Sequence, residues 1–250
     1  MSYVDKETDD GCMRLRLANG SGNLLTLEVI RDLAESLSEA EASAKAVMLC
    51  GSDRFFSNGL DLLWALSQPV DRLHAMFLAI GDLVLRMLSC PVPLTAAVRG
   101  HAIGAGKTLM AACDYRYAAT GRVLVGVPEI LLGVPNPFFA DQLLRFLVGD
   151  GIASDLIYSG KLVAAETLVP CGLINQVFPK ETVEDEAWKK TRELALLPPL
   201  AFAESKSMRT AELCGRIRGG LPQRMDALMT AWTSDAAQQR LHAAAERLKQ

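Results

Sequence analysis

Leu94-Thr95-Ala96-Ala97-Val98 runs into Arg99-Gly100-His101-Ala102-Ile103-Gly104-Ala105-Gly106-Lys107-Thr108-Leu109-Met110, and this stretch decides the fold. The first five residues are a short apolar run of the kind that sits buried on both faces in a parallel sheet. The small-residue turn at 100–106 then opens into a pattern that predicts a helix to Ala112. A strand entering such a turn, with a helix leaving it, exposes unpaired N–H groups that suit a developing anion. It is neither a Walker loop nor a dinucleotide fingerprint, because GAGK lacks the upstream spacing and GxGxxG is incomplete. Small side chains also permit simple close packing of helix on strand, so both readings stay open on this stretch alone.

Outward from it, the same alternation recurs. Lys45–Cys50 is a second apolar run, ending at Gly51, and FFSNGLDL (55–62) follows as a strand-to-helix turn. Helical patterns occupy about 60–90 and close at Pro91 and Pro93; another places Leu25, Val29, Leu33 and Leu37 on one face. Cys12–Ala18 alternates in the strand manner, Asn19–Gly22 is a turn, and residues 1–11 are expected to form a flexible tail. Further strands are expected at 113–119 and 123–127. After Pro137 the chain is expected to be helical, apart from a short strand at 173–177. Repeated strand–helix alternation argues for a layered α/β core with parallel pairing. The division expected is a tail over 1–11, a core over 12–180 and a helical region over 181–250 that packs on the core or reaches a neighbouring subunit. No period of 20–50 residues repeats in the sequence.

Composition narrows the function. Half of the 250 residues are apolar and 22% are charged, which is ordinary for a globular protein. A net charge of -3 gives no general attraction to nucleic acid or to anionic membrane. The six cysteines are scattered without CxxC pairs or histidines at metal spacing, so no metal site is expected and a reducing compartment is inferred. The acidic start lacks the apolar core of a signal peptide, no apolar run reaches membrane-spanning length, and Arg247-Leu248-Lys249-Gln250 is not a peroxisomal address. A cytoplasmic location is the expectation.

The third segment with chemical content is Val127-Pro128-Glu129-Ile130-Leu131-Leu132-Gly133. A lone carboxylate in an apolar run carries a desolvation cost that raises its pKa and makes it a better base near neutrality. A satisfied, half-exposed glutamate at a strand end is the bland alternative. Taken in order, FSNGLDL, GHAIGAGKTLMAACDYRYA and VPEILLG resemble the crotonase, or enoyl-CoA hydratase/isomerase, superfamily, and YSGKLVAAETLVPCGLINQVFP continues the pattern. The resemblance spans roughly residues 12–240.

It implies a core of repeated ββα units with a C-terminal helical region that assembles trimers or closes the site. It implies an acyl thioester substrate, with coenzyme A or a carrier-bound pantetheine as part of that substrate and no separate cofactor. The thioester oxygen would lie between the main-chain N–H groups of Asn58 and Ala105, and Asn58, Gly59, Leu60, Asp61 and Gly104 would line the substrate channel. Glu129 matches one of the two glutamates of the hydratases; the other position holds Thr108, whose hydroxyl is a poor acid or base. One carboxylate is sufficient to move a proton from C2 to C4, so the pattern favours a Δ3,Δ2-enoyl-CoA isomerase. A weak hydratase, decarboxylase or thioesterase, or a non-catalytic acyl-CoA-binding protein, is the alternative. A homotrimer or dimer of trimers is implied as the assembly, with no nucleic-acid or membrane partner.

Other residues are weighed on sequence alone. Lys107 is expected at the surface or in an ion pair, and His101 as a structural hydrogen-bonding histidine; His74 and His242 have no supporting motif. Asp114 is expected to cap or pair locally, and Asp141 lies too far along for the nucleophile of the family's dehalogenases. Trp64, Leu66 and Met76 fall where the family shapes its acyl pocket, although core packing explains each as well. Lys206 and Lys249 are candidates for the coenzyme A phosphates without a motif to assign them.

Overall fold

The computed structural model describes residues 2–247. One sheet has six strands in the order β1 (Val4–Asp9), β2 (Cys12–Leu17), β3 (Ala46–Cys50), β5 (Leu94–Val98), β7 (Tyr115–Ala119) and β10 (Gln176–Phe178). All its pairings are parallel except β1 with β2. The second sheet runs β4 (Phe55–Ser57), β6 (His101–Ile103), β8 (Leu124–Gly126), β9 (Leu162–Ala164), with only the last pair antiparallel.

The chain visits the two sheets in turn: β3 then β4, β5 then β6, β7 then β8. Each pair is followed by helix. After β4 come α2 (Leu62–Ser67) and α3 (Val70–Ser89); after β6 comes α4 (Ala105–Ala111). After β8 come a 3-10 turn (Pro128–Leu132) and α5 (Phe138–Ser159). This is a repeated ββα core, and it places three strand-to-helix turns (near 58, 104 and 128) at the same end of the second sheet.

Side-chain alternation explains the layers. In β3, Val47 and Leu49 face the main core, which also holds residues of α3 and α1 (Leu27–Ser43). Met48 and Cys50 point to the other face, against Ala187 of α6 (Val183–Ala195). A strand covered on both sides has no polar face, which is why β3 and β5 read as unbroken runs. Accordingly α6 is a layer of the core, although residues 181–250 are expected from sequence to be a lid or assembly region. The helices that reach the site are α7 (Pro199–Trp232) and α8 (Asp235–Arg247). No helix among the described residues is long and apolar enough to cross a membrane.

Three local expectations are corrected. Within the expected tail over 1–11, Val4–Asp9 is a strand that pairs residue for residue with Cys12–Leu17. The Asp10-Gly11 turn between them has both φ angles positive (51° and 74°), the two-residue hairpin that Asp-Gly favours. Most of β1 is exposed, so its sequence is polar and lacks the alternation that marks a half-buried strand. His101–Ile103, expected within a turn, is strand β6, and Leu162–Ala164, expected in helix, is β9.

Candidate active site

The first element is the turn after β4. Asn58 donates its N–H to the Gly22 carbonyl at 3.0 Å, so this amide is not available to a substrate. That corrects its sequence assignment as an oxyanion donor. The neighbouring backbone is held the same way: Leu25 N–H donates to Gly59 O at 2.8 Å and Asp61 N–H to Leu25 O at 3.0 Å. Leu60 lies between these two bonds, and in a bridge of this kind the intervening amide points away from the partner segment. The Leu60 N–H has no acceptor among the described residues.

The second element is the start of α4. Gly104 donates its N–H to Gly126 O at 3.0 Å and accepts at its carbonyl from Thr108 N–H at 3.1 Å, so the helix ladder begins there. Ala105, the first helical residue, has no acceptor for its N–H among the described residues. Its φ is not positive, so a side chain is admissible at this position. Gly59 brings the two turns together: a Cβ on it would stand 2.9 Å from Ile103 O and 3.5 Å from Ala105 N, and its φ of 81° favours glycine independently. The unpaired main-chain donors that converge here are therefore Leu60 and Ala105.

The third element carries Glu129. Pro128 opens the 3-10 turn and Gly133 closes it at φ 79°, with Val134 N–H donating to Glu129 O at 3.2 Å. From this turn the Glu129 carboxylate extends over α4's entry. Its Oε1 lies 3.2 Å from where a Cβ on Gly104 would stand. Its Oε2 is buried with no hydrogen-bond partner among the described residues. Burial raises its pKa above the ordinary carboxylate value, and the charge of Lys107 partly offsets that rise.

Asn58, Gly59, Leu60, Gly104, Ala105, Thr108 and Glu129 all line one cavity of about 310 Å³. Its remaining wall is mostly apolar and includes Phe77, Ile80 and Phe139 together with Leu228 and Trp232 of α7. The Trp232 ring meets that of Phe77 edge-on with centroids 5.7 Å apart, closing the apolar part of the chamber. Glu129 is the one carboxylate among the described lining residues. Thr108 donates its hydroxyl to Gly104 O at 3.3 Å, a bond within its own helix.

Other sequence candidates lie elsewhere. Asp61 does not line the cavity; its carboxylate accepts from Trp64 N–H at 3.0 Å and caps α2. Trp64 stacks with Arg72, and neither it, Leu66 nor Met76 reaches the cavity, whose wall is built instead by Leu62, Phe77 and Ile80. Helix periodicity alone does not tell which face of α3 meets a void and which meets solid core. His101 accepts at Nδ1 from Leu124 N–H at 3.0 Å, the structural role expected of it. Asp114 accepts from Leu94 N–H and pairs with Lys206, both at 2.8 Å. Lys206 is nearly buried and engaged by that pair, which removes it as a phosphate contact. Lys249 lies outside the described residues. Lys107, expected at the surface or in an ion pair, is 1% exposed, and its Nζ has no hydrogen-bond partner among the described residues.

Comparison with known proteins adds to this geometry. A family model described as enoyl-CoA hydratase/isomerase matches residues 7–250. The chain is 32% identical over 173 residues to the peroxisomal bifunctional enzyme of Homo sapiens, an alignment covering 68% of this chain but only 23% of that protein. It is 30% identical over 216 residues to a probable enoyl-CoA hydratase of Bacillus subtilis, covering 85% of this chain and 81% of the relative. Among solved structures, human mitochondrial delta3-delta2-enoyl-CoA isomerase superposes with a TM-score of 0.93 at 26% identity, covering 99% of this chain and 98% of that one.

Proposed function

Because the chain belongs to the enoyl-CoA hydratase/isomerase family, we propose that it moves a carbon–carbon double bond of an acyl thioester from C3 to C2. The observation that carries this reading is the single carboxylate, Glu129, in a cavity that also receives the unpaired amides of Leu60 and Ala105. The thioester oxygen accepts from those two amides. Glu129, ionised, takes a proton from C2 of the 3-enoyl group, and the electron pair released forms a dienolate whose charge rests on that oxygen. The same carboxyl group returns the proton to C4, giving the 2-enoyl thioester and restoring the carboxylate. No second acid enters the cycle.

Main-chain donors suit this chemistry because they are fixed before the charge develops, so their dipoles need no reorganisation. The apolar wall excludes water from the dienolate and raises the proton affinity of Glu129 toward that of a useful base. Coenzyme A or a carrier-bound pantetheine supplies the thioester, and a trimer or dimer of trimers in the cytoplasm is the assembly and place we assign.

Hydration is the second reading, favoured by the Bacillus subtilis relative's name and extent of match. It needs a group to hold and deprotonate water while another route protonates the neighbouring carbon, and Thr108, bonded within its own helix, supplies no carboxylate for this. One assay separates the readings: incubation with 3-enoyl-, 2-enoyl- and 3-hydroxyacyl-CoA, followed by mass and by the absorbance of the conjugated product. Isomerisation gives a product of unchanged mass from the first substrate only. A gain of one water from the second substrate, at a comparable rate, overturns the proposal.

A further inference from the structure

Lys107 is the one charged residue among the largest fully buried side chains, and its ammonium Nζ has no hydrogen-bond partner among the described residues. An unpaired ammonium in the interior is costly, and a protein that holds one has a nearby charge to oppose it. Lys107 is the third residue of α4 and Gly104 is its N-cap, so the two belong to the same first turn. The Glu129 carboxylate lies over Gly104, and its Oε2 is likewise buried and unbonded. Lys107 and Glu129 thus carry opposite charges in one apolar region, with neither Nζ nor Oε2 hydrogen-bonded among the described residues and the Glu129 backbone N–H as the neutral group that acts on the carboxylate.

We propose that Lys107 is a positioning residue for the reaction, acting as the buried counter-charge that keeps the Glu129 carboxylate ionised and ready to take a proton. The inference rests on the reading of Glu129 as the base. Lys107 does not line the cavity, so it acts through Glu129 and not on the substrate. Neither Lys107 Nζ nor Glu129 Oε2 has a hydrogen-bond partner among the described residues, and the lack of a direct bond between them fits a base, because such a bond would lower the carboxylate's proton affinity too far.

Burial pulls the Lys107 ammonium down to about 8, and the carboxylates of Glu129 and then Asp141 oppose that fall. Asp141, on α5, is itself engaged by Arg145 at 3.3 Å. From α8, Arg240 donates to Leu131 O and Arg247 lines the cavity, while the charge of Lys107 lowers the proton affinity of Glu129. His101 of β6 accepts at Nδ1 from Leu124 N–H.

The test is a carboxyl titration of the ligand-free protein by carbon NMR, with the Glu129 signal assigned by its loss in Glu129→Gln. In Lys107→Met and Lys107→Gln the Glu129 midpoint is expected to rise by about one unit, at the low end for loss of a nearby cation, and Lys107→Arg is expected to hold it near the parental value. By reciprocity, the Lys107 amine in Glu129→Gln titrates lower than in the parent, a measurement that does not depend on the lysine variants folding. Unmoved midpoints in these titrations overturn the proposal. The acid limb of the isomerase pH–rate profile should follow the titration upward in Lys107→Met. A titration that moves while the limb stays leaves the counter-charge standing and removes Glu129 as the base, so the two failures are told apart.

Discussion

The Oε1 of Glu129 lies 3.2 Å from the point where a Cβ on Gly104 would stand, so the absent side chain of one residue makes the seat of the other. Gly104 also has φ 56° and ψ -121°, a combination that L-residues rarely adopt. Gly104→Ala therefore meets two obstacles, backbone strain of about 1–3 kcal/mol and displacement of the carboxylate. Chemical denaturation should show the first as lost stability, and isomerase assays the second as a fall in kcat. Parental kcat in a folded Gly104→Ala protein would show that Glu129 does not need this seat.

Ala105→Pro tests the oxyanion donor at α4. The first position of a helix accepts proline, because its N–H has no partner inside the helix. The substitution deletes the donor while leaving the helix in place. Loss of one such donor costs about 10²–10³ in kcat, with acyl-thioester binding far less affected. Steady-state kinetics and circular dichroism together decide it; a folded variant with undiminished kcat contradicts the assignment.

Which amides form the pair is a point that sequence does not reach. Asn58, Gly59 and Leu60 are consecutive in one turn, and the choice depends on the segment 22–25 lying alongside and consuming the Asn58 N–H. A contact between segments so far apart in sequence leaves no local signature. The place of Glu129 on the cavity wall agrees with what the family resemblance implied; the apolar run alone fits a satisfied strand-end glutamate as well. The parallel sheet was legible, since β3 and β5 are buried on both faces. Strand β1 was not, because most of it is exposed and its residues are chosen by water. The burial of Lys107 is not legible for the opposite reason: a lysine belongs at the surface by its chemistry, and the carboxylates that act on it, Glu129 and Asp141, lie on later segments of the chain.

Lys107 also predicts how stability varies with pH. Its folded value of about 8 lies below the ordinary 10.5, so between these values the unfolded chain binds more protons than the native one. Stability from this group therefore rises with pH across that window and is lowest below it. The cost it removes is on the order of 3 kcal/mol. Lys107→Met abolishes this dependence, so the stability difference between parent and variant should change by that amount from pH 8 to 10.5 in urea titrations. A constant difference would show that burial does not lower the proton affinity of this amine.

Trp232 and Phe77 close the apolar chamber. Trp232→Ala should cost about 3–5 kcal/mol, the range for removing a large buried aromatic ring. It should also shift kcat/KM toward longer acyl chains, as the emptied volume continues the cavity. An unaltered chain-length preference in the folded variant would place the acyl group elsewhere.

Thr108→Val removes a hydroxyl that bonds only within its own helix. Isomerisation should persist at near the parental rate, and its abolition would show that Thr108 takes part in proton transfer.

The most direct measurement is the isomerisation of 3-enoyl-CoA by Glu129→Gln, alongside the affinity of the same protein for a non-reacting acyl-CoA. The amide keeps the shape of the carboxyl group and loses its basicity. The rate should fall by at least about 10²–10⁴, the contribution of a positioned general base, while affinity stays close to parental. Turnover at the parental rate would mean that another group moves the proton.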